Sequence, residues 1–439
     1  MTRMTEPAAR IAAISLHTSP LDQPGAGDSG GMNVYVRSVA LGLARRGIAV
    51  DVFTRCAGRG VPEVEEIGPL TRIVQVNAGP CAPVHKEDLV GLLPGFEDGI
   101  LSWGREGGPY DLVHAHYWLS GEPGLEAAAR WGVPLVVSFH TLGEVKNLAL
   151  MGAEEPPERL GAERRAIAWA DRVLVPTSGE AEDVIRLYGA APDRIRVVPP
   201  GVDTAAFFPR DREEARRRLG IGGKEVLLFV GRLQPVKGPD VAIRAAAEAM
   251  RTRPDAVLVV VGGPSGPEGL AYARGLRDLA AAEGVADRVV FLDPRPHDEL
   301  PWAYSAADVL LMPSRSESFG LAALEAQACG VPVVAASVGG LRHVVENGGT
   351  GYLVEGHEPE RYAERSRWLV ADPALAGRVG EAGRRRAATF SWEAATEGVL
   401  RVYGEVAPGL VPVRSRDSVT RKNDPLTCAD PSPPGVLAS

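Results

Sequence analysis

A chain of 439 residues with 48 basic and 56 acidic side chains carries a net charge of −8, which disfavours general affinity for nucleic acid or for an anionic membrane surface. The length exceeds that at which one hydrophobic core stops growing, so two domains of roughly 200 residues each are expected. No apolar run reaches the length of a membrane span, the opening Met1-Thr-Arg-Met-Thr-Glu-Pro7 has no signal-peptide stretch, and the four cysteines (56, 81, 329 and 428) lack metal-ligand spacing, so a cytoplasmic protein with reduced thiols and no zinc site is expected.

In chain order, β-branched runs alternate with helix-like stretches, the pattern of a doubly wound parallel sheet. Residues 1–9 read as a flexible start. The first half offers strands at 11–16, 48–54, 73–76, 112–115, 135–139, 172–175 and 195–198. Between the first strand and its helix lies a loop from His17 through Asp28, Ser29, Gly30 and Gly31 to Met32 and Asn33. Its paired glycines let backbone approach a diphosphate closely, and the helix behind them directs free N–H groups at negative charge. A turn-rich stretch at 199–204 cannot continue either element and marks a boundary, giving a first domain of 10–203 and a second of 204–390.

The second half repeats the plan, with strands at 226–230, 256–261, 289–292, 309–312, 331–335 and 351–354. Gly231-Arg232-Leu-Gln-Pro-Val-Lys237-Gly238 leaves the carboxyl end of the first of these, where open α/β sheets bind ligands. Further on, Ser316-Glu317-Ser318-Phe319-Gly320-Leu321-Ala-Ala-Leu-Glu325 places two glutamates eight residues apart, one on a polar loop and one about two turns into a helix. Carboxylates so placed can hold sugar hydroxyls, and the two cations suit the phosphates of a nucleotide sugar. A Ser391-capped amphipathic helix over 391–407 closes the fold, and 408–439, rich in Pro, Ser and Asp, reads as a disordered tail.

Arg232 and Lys237 followed by the Glu-x7-Glu loop and helix resemble the donor site of retaining glycosyltransferases of family 4, which have the GT-B fold of two facing Rossmann-like domains. The glycine-rich opening is similar to that of the D-inositol-3-phosphate glycosyltransferases of mycothiol biosynthesis, and the likeness runs to about residue 405. It implies transfer of N-acetylglucosamine from UDP-GlcNAc to 1D-myo-inositol 3-phosphate with retention at the anomeric carbon, no cofactor required for catalysis, and a homodimer without stable membrane association. The helix 391–407 would cross back onto the first domain. The resemblance implies donor contacts from Gly31, Arg232, Lys237, Glu317, Ser318, Phe319, Gly320, Leu321 and Glu325, with backbone near Arg295 at the nucleobase. It makes His140, Arg232, Lys237 and Glu317 the catalytic group.

The acceptor phosphate would be gripped by Lys86, Tyr117, Thr141 and Arg159, with His17, Asn33 and the loop from Asp28 to Met32 facing the inositol ring. Two cations and two hydroxyls suit a phosphate monoester better than a neutral sugar. Family members carry a structural Mg2+ near the turn equivalent to 304–307, but no Asp-x-Asp metal motif stands in a matching position. Rival readings are a related transferase with a sucrose-phosphate-synthase-like or phosphatidylinositol-mannosyltransferase-like acceptor, and a non-catalytic nucleotide-sugar-binding protein. The sequence does not separate uridine from guanosine as the donor base.

Overall fold

A computed structural model describes residues 7–149, 154–222 and 225–410 of the chain. Two sheets carry it. The first contains β1 (Ala9–Ile14), β2 (Ile48–Arg55), β3 (Val64–Gly68), β4 (Thr71–Val76), β5 (Leu112–His116), β6 (Leu135–Ser138), β7 (Arg172–Val175) and β8 (Ile195–Val197), in the order β3-β4-β2-β1-β5-β6-β7-β8. The second contains β9 (Glu225–Val230), β10 (Ala256–Val261), β11 (Val289–Leu292), β12 (Val309–Met312), β13 (Val333–Ala336) and β14 (Gly351–Val354), in the order β11-β10-β9-β12-β13-β14.

Helices cover both faces of each sheet, so the central strands are apolar on both sides rather than alternating. β1 shows this: Ile11 and Ile14 are fully buried, with Ile11 in register with Val50 on one side and Leu112 on the other. Strand order reverses at β1 in the first sheet and at β9 in the second. A crevice opens where two neighbouring strands send their connections to opposite faces, and ligands bind outside the carboxyl ends of those strands.

The all-parallel expectation misses β3, which pairs antiparallel with β4 at the edge of the first sheet. Its sequence Val-Glu-Glu-Ile-Gly is too polar to register as a strand, because an edge strand needs little apolar surface. The reduced-thiol expectation is also corrected: Cys56 and Cys81 form a disulfide, while Cys329 is a free, buried thiol. Cys56 follows β2 and Cys81 lies beyond the end of β4, and because those strands run parallel side by side the two Cα atoms come within 5.1 Å. Residues 1–6 and 411–439, within the segments read as flexible, lie outside the described residues. Residues 8 and 9 are tied to the first sheet, and Leu410 in the turn Pro408–Leu410 is buried against its core.

The chain passes between the sheets twice at almost one point. Val202 N donates to Phe390 O at 2.9 Å, and Val202 forms a bridge with Ser391. Ser391 Oγ accepts from Ala394 N at 3.0 Å and starts the helix Trp392–Val406, which packs on the helix Gly31–Ala44 of the first domain. At the crossing Gly201 has no room for a side chain, since a Cβ there would sit 2.2 Å from Trp392 N and 2.3 Å from the Ser391 carbonyl carbon. Backbone cannot step aside as a side chain can. Gly201→Ala is therefore expected to lower stability by about 1–3 kcal/mol, read as a fall in the urea midpoint, and an unchanged midpoint would show that the two crossings slide freely.

Candidate functional site

A cavity of about 330 Å³ lies between the two sheets, lined by residues of both. On the second-domain side, β9 delivers Gly231 and Arg232, and a 3-10 turn Pro235–Lys237 delivers Lys237. Lys237 Nζ lies 2.7 Å from Glu317 Oε2, so an acid and a base that the sequence assigned to one substrate hold each other here. Arg232 reaches across the cavity: Nη1 donates to Asp28 O at 3.3 Å, with the Asp28 carboxylate 3.9 Å away.

The loop carrying Glu317 is held by close backbone packing. Gly340 N donates to Glu317 O at 2.9 Å, and a Cβ on Gly339, whose φ is +43°, would lie 2.1 Å from that same oxygen. Gly320, at φ +103°, turns the chain into the helix Leu321–Ala328, which has no side-chain cap. Its first N–H groups are thus left for an anion in the cavity. Glu325 is the fifth residue of this helix, about one turn in rather than two, because the helix starts only after Gly320. It is 6% exposed and accepts from Tyr304 Oη at 2.8 Å and shares a 2.8 Å contact with His297 Nε2. Burial lowers the His297 pKa but Glu325 outweighs it, so the imidazole is held above its ordinary value. Ser318, Gly320 and Leu321 line the cavity, as does Phe319, whose ring also packs 5.9 Å from Phe390 beside the crossing. The carbonyl of Arg295, assigned to the nucleobase, accepts from Gln23 Nε2 of the first domain.

On the first-domain side, the loop after β1 presents His17, Asp28, Gly30, Gly31 and Met32 to the cavity. Gly31 comes so near the second domain that a Cβ on it would lie 3.1 Å from Leu321 Cδ1. Ser29 and Asn33, expected to face the acceptor, are turned away from the cavity. Asn33 Oδ1 accepts from Gly30 N at 2.9 Å while its Nδ2 donates to Thr18 Oγ1 at 2.8 Å, and Ser29 Oγ donates to Asp22 O at 3.1 Å. Both are 3% exposed or less, and neither lines the cavity. They fix the loop's shape, because Asn33 at the third helical position turns back onto the start of its own helix.

Two of the three non-glycine residues with positive φ among those described stand at this edge: Tyr117 (+73°) after β5 and His140 (+61°) after β6. Such backbone costs about 1–3 kcal/mol each and persists where surrounding structure enforces it, commonly at functional sites. The Tyr117 ring lies 4.5 Å from the His17 ring and 5.2 Å from the Arg159 guanidinium. Arg159, 2% exposed, donates through Nη2 to Thr141 O at 3.0 Å and Thr141 Oγ1 at 3.1 Å, and through Nε to Glu163 at 2.8 Å. Burial works against its charge, but Tyr117 and two glutamates outweigh that and raise its pKa. Lys86 opens a 3-10 turn, Lys86–Leu92, and lines the same end of the cavity.

Beneath these groups lies a histidine cluster. His140 Nε2 is 3.1 Å from His116 Nδ1, and His114 contacts Tyr403 Oη at 2.7 Å and Ser138 Oγ at 3.0 Å. Burial lowers His114 and His140 to about 3, and burial with the positive field of Lys86 and Arg232 lowers His17 to about 3. All three are neutral imidazoles near pH 7, each able to donate one hydrogen bond and accept another. His116, His297, Lys146 and Glu155 went unnoticed in the sequence because no local motif marks them, and the pairs His116–His140, Lys146–Glu155 and His297–Glu325 span 24, 9 and 28 residues.

The structure gives no support to a Mg2+ at 304–307. The Tyr304 hydroxyl is spent on Glu325 and Ser305 Oγ on Arg210 N, and the adjoining cavity is lined by Arg210, Arg212 and Arg384 against the one carboxylate of Glu381. Three guanidiniums repel a divalent cation. Among the described residues no helix is long and apolar enough to cross a membrane.

The family model "Glycosyltransferase Family 4" matches residues 29–206, and "Glycosyl transferases group 1" matches residues 211–386. A D-inositol 3-phosphate glycosyltransferase of Acidothermus cellulolyticus is 52% identical over 404 residues, covering 90% of each chain. Another, from Thermomonospora curvata, is 48% identical over 415 residues, covering 91% of this chain and 96% of the relative. Among solved structures, sucrose-phosphate synthase from Thermosynechococcus elongatus superposes with a TM-score of 0.84 at 34% identity, covering 90% of this chain and 98% of that one. Anabaena HepE, solved with UDP and glucose, shares the fold with a TM-score of 0.72 at 21% identity, covering 90% of this chain and 100% of that one.

Proposed function

We propose, since the chain belongs to the D-inositol 3-phosphate glycosyltransferases, that it moves N-acetylglucosamine from UDP-GlcNAc to 1D-myo-inositol 3-phosphate with retention of the α configuration, releasing UDP. The observation that carries this reading is the presence of two separate cation pairs in one cavity, Arg232 with Lys237 on one side and Lys86 with Arg159 on the other. Two such pairs suit two phosphate-bearing substrates. Arg232, Lys237 and the uncapped start of the helix Leu321–Ala328 would take the diphosphate, whose charge grows as the glycosidic bond breaks. Once the diphosphate engages Lys237, Glu317 is free to accept from the hexose hydroxyls. Glu325, oriented by Tyr304 and His297, would accept from the ribose.

His140 would hold the hexose as a neutral hydrogen-bonding group, its ring fixed by His116. Tyr117, Thr141, Lys86 and Arg159 would hold the acceptor phosphate. The acceptor hydroxyl then attacks the anomeric carbon on the face the diphosphate is leaving, and a diphosphate oxygen takes its proton. Bond making and breaking on one face retains configuration without an enzymic nucleophile. The reading also takes the protein to act as a homodimer without a metal.

Purified protein incubated with UDP-GlcNAc and each acceptor, with products weighed by mass spectrometry, tests the reading. Inositol 3-phosphate should be converted at least ~10³-fold more efficiently than inositol, because the charge-assisted bonds to Lys86 and Arg159 are lost with the phosphate. Equal transfer to free inositol would overturn the acceptor assignment, and turnover with GDP-linked sugars alone would overturn the donor.

A further inference from the structure

Behind two cations of the acceptor end of the cavity stands a carboxylate that the reaction above leaves unused. Glu155 stands just before the helix Pro157–Trp169, with one oxygen on Lys146 Nζ and the other 2.7 Å from Arg159 Nη1. Its backbone N donates to Asn147 Oδ1 at 2.7 Å, which holds it against the helix Gly143–Ala149. Both cations line the cavity. Glu163, the other carboxylate on Arg159, is different in kind: it is fully buried and also accepts from Gly143 N and the Tyr188 hydroxyl. That glutamate belongs to the fold. The side chain of Glu155, 14% exposed, is instead bonded to two cations of the cavity wall.

An ammonium and a guanidinium facing two oxygens of one anion is the arrangement a phosphate monoester requires. We propose that Glu155 stands in for the acceptor's phosphate as the partner of Lys146 and Arg159 in the free protein and gives them up to it on binding, making Lys146 a third cation of the phosphate site. This rests on the reading that the acceptor is phosphorylated. Without Glu155, Lys86, Lys146 and Arg159 would repel one another across an empty site and attract any small anion. With it in place, an incoming group must outcompete a tethered carboxylate. A dianion does so with one more charge than a monoanion, so Glu155 sets a threshold that favours a phosphate monoester over carboxylates. The electrostatics agree: burial works to raise the Glu155 pKa, but Arg159 and Lys146 outweigh it and keep the carboxylate ionised.

Calorimetric titration of the UDP-loaded protein with inositol 3-phosphate and with inositol, for wild type, Glu155→Gln and Lys146→Met, tests this. Glu155→Gln should bind inositol 3-phosphate about tenfold tighter, and Lys146→Met about tenfold weaker, with inositol binding unchanged in both. If Glu155→Gln binds the phosphorylated acceptor no better or more weakly than wild type, Glu155 merely orients Arg159 and the proposal falls. An unchanged affinity in Lys146→Met, which stands even if the glutamate variant does not fold, also overturns it. Wild type that prefers inositol 3-phosphate while both variants leave that preference unmoved defeats this inference alone. Wild type without the preference defeats the proposed function itself.

Discussion

Replacing Arg232 or Lys237 by alanine should lower kcat/KM by about 10²–10³, the effect of removing one preorganised donor from a charge that develops in the transition state. The fold should survive either change, because both side chains project into the cavity rather than into a core cluster. The two variants should differ in one respect. Lys237→Ala strips Glu317 of its partner at 2.7 Å and leaves a half-buried carboxylate beside the diphosphate site, so it should weaken UDP binding more than Arg232→Ala, whose loss frees only Asp28. Steady-state kinetics with UDP as a product inhibitor measure both effects. Turnover within threefold of wild type in both variants would remove these residues from the donor site.

Acidification should destabilise the first domain steeply below pH 6.5. His17, His114 and His140 have folded-state values lowered to about 3 from the usual 6.5, burial being the largest cause in each. Their neutral forms therefore contribute stability that is fully present above pH 6.5 and is lost as pH falls toward the folded-state value, because only the unfolded chain takes up the protons. Three protons give a slope of about 4 kcal/mol per pH unit between roughly pH 6 and 3, enough to exhaust a typical folding free energy within a few pH units. Glu180 opposes this, since burial raises its carboxyl to about 8 and its contribution grows as pH falls from 8 toward the unfolded value. Four histidines, His116 among them, against the raised carboxyls of Glu97 and Glu180 set the net sign. Urea midpoints at pH 7, 6 and 5 should fall progressively, and a midpoint unchanged between pH 7 and 5 would show that these histidines are not buried as neutral rings.

Most of the architecture could be read from local pattern because a parallel strand covered on both faces is written as an unbroken apolar run. Val226-Leu-Leu-Phe-Val230 and Val257-Leu-Val-Val-Val261 leave no choice of face, and both are strands. The edge strand β3 escaped because half its surface meets water. At the site, strand order explains why Arg232, Lys237 and Glu317 come together as the family resemblance implied, since the carboxyl ends of β9 and β12 are adjacent by topology. Side-chain direction was not legible. Asn33 and Gly31 are two positions apart on one helix turn, yet one faces the loop behind and the other the cavity. The Lys237–Glu317 pair, the Lys146–Glu155 pair and the Cys56–Cys81 bridge join residues 80, 9 and 25 positions apart, and such pairings follow from the folded backbone.

The double crossing at Val202 and Ser391 gives the molecule an axle. Rotation about two adjacent strands of backbone moves little near Gly201 and most at the far rim, where the domains touch through Gly263 N on Gly25 O at 2.9 Å, Gln23 on Arg295 O, and Arg232 on Asp28 O at 3.3 Å. These three bonds act as a clasp. Each is worth about 1 kcal/mol net, so the rim is held by far less than either hydrophobic core. Arg232 sits on both the clasp and the diphosphate site, so departure of the nucleotide and parting of the rim draw on the same guanidinium.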